Sequence, residues 1–133
     1  MDIIRKMLST HPAPLGKADE QALADCIEAC LECSYACTVC ADACLSEESV
    51  ADMISCVRAD QNCADLCATT ARVLARTAAV NLSLVRATLE ACRVACAQCA
   101  DECEQHSMHE HCRVCAEVCR RCEQACAVLL DSL

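Results

Sequence analysis

Between residues 26 and 44 six cysteines, Cys26, Cys30, Cys33, Cys37, Cys40 and Cys44, follow at intervals of four, three, four, three and four. That average of 3.5 residues draws one continuous stripe along an α-helix, the line that leucine-type residues hold in a bundle core. The rhythm returns at Cys92, Cys96, Cys99 and Cys103, and again at Cys112, Cys115, Cys119, Cys122 and Cys126, with a sparser version at Cys56, Cys63 and Cys67. Two sulfurs one turn apart on one helix face can share a metal ion, and soft thiolates select Cu(I), Zn(II) or iron–sulfur clusters. A thiol is also a small hydrophobe, but 18 of them would specify a core poorly where leucine and valine serve better. Metal ligation is the stronger reading.

Four helices must position these stripes, giving an all-α, antiparallel, up-down-up-down four-helix bundle preceded by a short helix. Residues 1–16 form that N-terminal helix and its connector, with Ile3, Ile4, Met7 and Leu8 on one side of a piece packing across the bundle. The run His11-Pro12-Ala13-Pro14-Leu15-Gly16 ends it. Residues 17–133 form the bundle, so that 1–133 is one domain. The first long helix is predicted from Lys17–Asp19 to about Ser46. The second follows a cap at Ser49, with its acid at Asp52, and runs to about Arg76. Asn81 caps the third, and Ser107-Met-His-Glu110 has the form of a capping box for the fourth.

Short connections make neighbouring helices antiparallel. Leu23, Leu74, Leu82, Val85, Leu89, Leu129 and Leu133 then share one end, an apolar floor. Cys44, Met53, Cys103, His106, Met108, His109, His111 and Cys112 share the other, a mouth bearing metal-ligand side chains. The remaining stripe positions are Asp60 and Thr70 on the second helix.

Composition narrows the partners. The formal charge is −9, from 20 acidic and 11 basic residues, and there is no basic stripe for nucleic acid. Arg120 and Arg121 read as solvated surface. No run approaches the roughly 18 apolar residues of a membrane span, and the N-terminus has no secretory h-region. The chain is expected to be cytoplasmic, with its thiols reduced. No cysteine is followed by proline and the x2, x2, x3 ferredoxin spacing is missing, which argues against a cluster protein.

Copper is favoured over zinc by charge. Cu(I) in bridging thiolates displaces about one proton per ion and leaves the core near neutral. A four-thiolate zinc site carries two excess negative charges, costly in a narrow core with no Lys or Arg on its stripes. The expected cargo is therefore Cu(I), about one ion per cysteine. A zinc or mixed-metal thiolate protein is the alternative, and thiol oxidoreductase or di-iron catalysis lacks its motifs. The chain is read as a non-enzyme. Because thiols themselves fill the core, the metal-free protein is expected to stay helical.

The x3/x2 cysteine repeats on four helices resemble the bacterial copper storage proteins, and in particular their cytosolic branch. The resemblance covers nearly the whole chain. It implies a cysteine-lined bundle that holds many Cu(I) ions, with all 18 cysteines from Cys26 to Cys126 as ligands, a polar His- or Met-bearing mouth and a homo-tetramer. Copper would come from, or go to, a donor or acceptor protein or thiol.

Each residue outside the thiol rows has two readings. His106, on a stripe, is a Cu(I) ligand or gate, or a histidine favoured by its helix C-terminus. His109 and His111, beside the fourth stripe, are candidates for metal capture. Met53 and Met108 offer weaker thioether ligands or fill the core. Asp60 bonds across the channel or binds copper weakly, with a partly exposed carboxylate as the simpler account. Tyr35 is off the stripe and is expected between helices or at a subunit contact.

Overall fold

The computed structural model describes residues 2–13 and 19–133. Among these described residues five helices, α1 (Asp2–Thr10), α2 (Glu20–Leu45), α3 (Ile54–Ala75), α4 (Leu82–Glu104) and α5 (Glu110–Asp131), follow in order, with a 3₁₀ turn at Val50–Met53 leading into α3. At 22 to 26 residues the four long helices extend roughly 33 to 39 Å. α2 packs on α3 and α5, and α4 packs on the same two, closing a ring. Cys26 meets Cys126 while Cys44 meets Cys112, so α2 and α5 run in opposite directions. Cys67 against Cys92 and Cys56 against Cys103 make α3 and α4 antiparallel likewise. The expected up-down-up-down bundle is the result. No helix of the described residues is long and apolar enough to cross a membrane.

The helix starts are only partly those the sequence predicts. Asp19 caps α2, its Oδ1 accepting from the Gln21 amide at 2.9 Å, and Asn81 caps α4, accepting from the Leu84 amide at 3.2 Å. Lys17 and the breaker residues Pro14, Leu15 and Gly16 lie outside the described residues. Ser49 makes no side-chain cap, because the chain tightens into the 3₁₀ turn and the Asp52 amide bonds the Ser49 carbonyl instead. The capping box at Ser107 is not formed. Residues 105–109 are spent in turns, α5 starts at Glu110 with His109 as its cap residue, and the Glu110 carboxylate pairs with Arg113.

At the floor Leu23, Leu74, Leu89 and Leu129 are buried, with Val85 and Leu133 packed against them. Leu82 departs from expectation: as the first residue of α4 it precedes the closed ring and is exposed. Thr70 is buried there with its hydroxyl donating to the Leu66 carbonyl at 2.7 Å, so its polar atom is satisfied within its own helix. α1 lies against α2, burying Ile4 and Leu8 while Ile3 and Met7 stay exposed. Arg5 ties it there through Asp25 and Glu28. Arg120 reaches Asp101, Glu104 and Glu123, and Arg121 reaches Glu32; these solvated ion pairs are each worth about 0–1 kcal/mol.

Candidate metal centre

The 3.5-residue spacing does what an amphipathic stripe must: it turns every cysteine inward. All 18 are buried, at 0 or 1% exposure, and none is in a disulfide. Alanines flank the stripes, with Ala29, Ala41, Ala64, Ala95, Ala100 and Ala116 all buried. Their small side chains let the helices approach closely enough for sulfurs on different helices to meet.

Sulfurs form a continuous column. Near the floor Cys26 faces Cys126 at 3.8 Å and Cys30 faces Cys122 at 3.7 Å. In the middle Cys67 lies 3.6 Å from Cys96, Cys33 lies 3.7 Å from Cys63, and Cys37 lies 3.6 Å from Cys119 and 3.7 Å from Cys115. Toward the mouth Cys56 meets Cys103 at 3.6 Å, and Cys112 lies 3.9 Å from both Cys40 and Cys44. These separations are close to van der Waals contact, far longer than the roughly 2.05 Å of a disulfide. Groups of four donors lie within 4.8 Å of one another, including Cys30/Cys92/Cys122/Cys126, Cys33/Cys37/Cys63/Cys119, Cys33/Cys63/Cys67/Cys96, Cys37/Cys99/Cys115/Cys119 and Cys40/Cys44/His111/Cys112. Adjacent groups share members: Cys33 and Cys63 serve two, as do Cys37 and Cys119.

Asp60 corrects the expectation of a partly exposed carboxylate. It is fully buried, because it keeps the stripe rhythm between Cys56 and Cys63 and therefore points inward with them. Its Oδ1 accepts from the thiols of Cys99 at 3.1 Å, Cys115 at 3.4 Å and Cys103 at 3.6 Å, which is the bonding across the channel that the sequence allowed. Burial, before any other cause, pushes its pKa up to about 8. Burial likewise pushes Cys112 up to about 12 and raises Cys44, so these two thiols of the metal-free protein hold their protons at neutral pH.

The structure separates the mouth residues. Met53 is buried at 1% exposure, whereas Met108 is 74% exposed, since residues 105–109 leave the helix before the stripe can turn it inward. His106 lies in the same turn, with Nε2 3.4 Å from Glu102 on the preceding helical turn. His111 is the histidine brought to the thiols, with Nδ1 3.5 Å from the sulfurs of both Cys40 and Cys112. His109 stacks on it, ring centroids 5.7 Å apart. Glu47, which the sequence reading passed over, meets both rings. Its signal was present, for Glu47 extends the α2 rhythm three residues beyond Cys44.

A profile of the copper storage proteins matches residues 19–131, nearly the whole bundle. The chain belongs to that family. The copper storage protein Ccsp of Streptomyces lividans, in a structure loaded with 10 copper equivalents, is 56% identical and superimposes with a TM-score of 0.96 over 98% of this chain and 99% of that one. A structure of the cytosolic copper storage protein of that organism with five coppers is 58% identical, with a TM-score of 0.84 over 85% of this chain and 95% of that one. The cysteine-rich protein YhjQ of Bacillus subtilis (strain 168), itself uncharacterized, is 34% identical over 107 residues, 80% of this chain and 94% of YhjQ. This is a family of metal stores and not of enzymes, and its assignment agrees with the resemblance read from the cysteine repeats.

Proposed function

We propose that this chain is a cytoplasmic store and buffer for Cu(I), filling its core with thiolate-bridged ions that enter and leave at the histidine-bearing end. One observation carries the reading: neighbouring donor groups share Cys33, Cys37, Cys63 and Cys119 instead of each having its own ligands. A shared-sulfur column suits two- and three-coordinate Cu(I), and a filling of about one ion per cysteine keeps charge from building up, since each ion replaces about one thiol proton. The copper-loaded S. lividans relative, a cytosolic protein, supports both the cargo and the compartment. All 18 cysteines are proposed ligands, with His111 joining Cys40, Cys44 and Cys112 at the mouth. His109, His106 and Met53 line the approach. Asp60 serves as a hydrogen-bond hub and weak donor in the column.

Zinc is the second reading, because a single group such as Cys33/Cys37/Cys63/Cys119 offers the four thiolates that Zn(II) takes. X-ray absorption at the copper edge of the loaded protein separates the two. Copper storage predicts Cu(I) in sulfur-dominated two- and three-coordinate sites with short copper–copper neighbours. Isolated ions with mostly nitrogen or oxygen ligands would contradict it.

We further propose a homo-tetramer that uses the α2/α5 face. Tyr35 is 74% exposed on the free chain, beside the exposed Val39 and Val114, so it does not pack between helices. A second copy of this face is the expected cover. Ions would be exchanged with donor or acceptor proteins or thiols through thiolate ligand transfer.

A further inference from the structure

Glu47, in the turn after α2, presents one carboxylate oxygen to two histidines. Its Oε2 lies 2.8 Å from His111 Nε2 and 2.9 Å from His109 Nδ1. The turn is held by α2 itself, the Glu47 amide bonding the Cys44 carbonyl at 3.3 Å. The two rings stack with their planes 16° apart. A carboxylate oxygen only accepts, so the His111 nitrogen bonded to it carries hydrogen, and in a neutral imidazole the other nitrogen then holds the lone pair. That bond fixes the His111 tautomer, with hydrogen on Nε2.

The consequence lies on the inner side. The His111 lone pair is at Nδ1, the atom 3.5 Å from the sulfurs of Cys40 and Cys112. A His111 with the other tautomer would turn an N–H toward those thiols and could not ligate there. We propose that Glu47 is the positioning residue of the copper mouth, setting His111 as an inward Nδ1 donor with the His109 ring stacked beside it. Cu(I) reaching the bundle thus meets nitrogen and sulfur already aligned at its first site. The arrangement is a carboxylate–histidine–metal triad, in which loss of the outer carboxylate typically weakens metal binding or activity by about 10- to 100-fold. Glu47 touches no copper in this scheme and acts through the rings. The inference rests on Cu(I) being the cargo.

Two measurements test it. Nitrogen-15 NMR of the metal-free protein with labelled histidine reports the tautomers without copper. The expected result is Nε2–H at His111, with that preference weakened in Glu47→Ala. Nδ1–H at His111 in the unsubstituted protein overturns the proposal with no variant needed. Stopped-flow Cu(I) uptake, followed by thiolate-to-copper absorption, is then expected to slow about tenfold in Glu47→Ala. Glu48→Ala, which removes the same charge from the exposed neighbouring position, is expected to match the unsubstituted protein. Equal slowing in both variants reduces Glu47 to general attraction of cations and overturns the positioning role. Circular dichroism checks that each variant is folded. If the unsubstituted protein takes up no Cu(I), the storage reading itself fails, a result distinct from a variant that is merely as fast as its parent.

Discussion

The thiol of Cys99 donates to Asp60 Oδ1 at 3.1 Å, placing the one carboxyl on the cysteine stripes inside the sulfur column rather than at its rim. The contact makes the acid part of the core's polar bonding. Replacing Asp60 by leucine would leave the thiols of Cys99, Cys103 and Cys115 without this acceptor.

A pH dependence follows for the metal-free protein. The Asp60 pKa is raised from 3.8 to about 8 by burial first, so between those values the folded state holds a proton that the unfolded state has released. Stability from this group is complete below about pH 4 and is lost as pH rises through about 8, at up to ~1.4 kcal/mol per pH unit. Chemical denaturation of the reduced protein at pH 5, 6.5 and 8 should show this decline. Asp60→Asn should flatten it, and an unchanged slope in that variant would place the dependence elsewhere.

The floor and the column are separate in their roles. Leu89 is fully buried at the floor, and Leu89→Ala should destabilise the metal-free protein by about 2–5 kcal/mol. Copper capacity should stay at the parent value, because no thiol is lost. A fall in capacity at a temperature where the variant is folded would mean that the floor also shapes the sites.

His111 is expected to govern the rate of filling more than its extent. It contributes one donor beside Cys40, Cys44 and Cys112, while the rest of the column is sulfur and Asp60. His111→Ala should slow Cu(I) uptake in stopped-flow traces and change the final count by no more than about one ion, an estimate from the single donor removed. The same traces on His106→Ala should show a smaller effect, as His106 faces Glu102. The reverse order would return the gate to His106.

Assembly is open to a direct check. Tyr35→Glu places a charge on the exposed α2/α5 face, and light scattering of the purified variant should show a smaller species than the parent. A parent that is already monomeric would remove the tetramer.

The bundle was legible because cysteine spacing alone gave four stripes, and antiparallel connections then placed Leu23, Leu89 and Leu129 at one end. Asp60 was harder to place. The habit of assigning carboxylates to the surface competed with a stripe register that put it inside, and the register prevailed. The mouth was least legible, because helical periodicity ceases to apply after Glu104. His106 and Met108 were read along a stripe that the turn at 105–109 had already abandoned. Glu47 was missed for the opposite reason: it keeps the rhythm of α2 past the last cysteine, and an acid after a thiol row does not look like part of one.

The most direct test is anaerobic titration of the fully reduced, metal-free protein with Cu(I) against a competing chromophoric chelator, repeated with Zn(II). Storage predicts tight uptake approaching one Cu(I) per cysteine, that is toward 18 ions, with zinc saturating near one ion per four thiols. Saturation at a few Cu(I) ions, with zinc held as tightly, would contradict the account and leave a zinc-thiolate protein in its place.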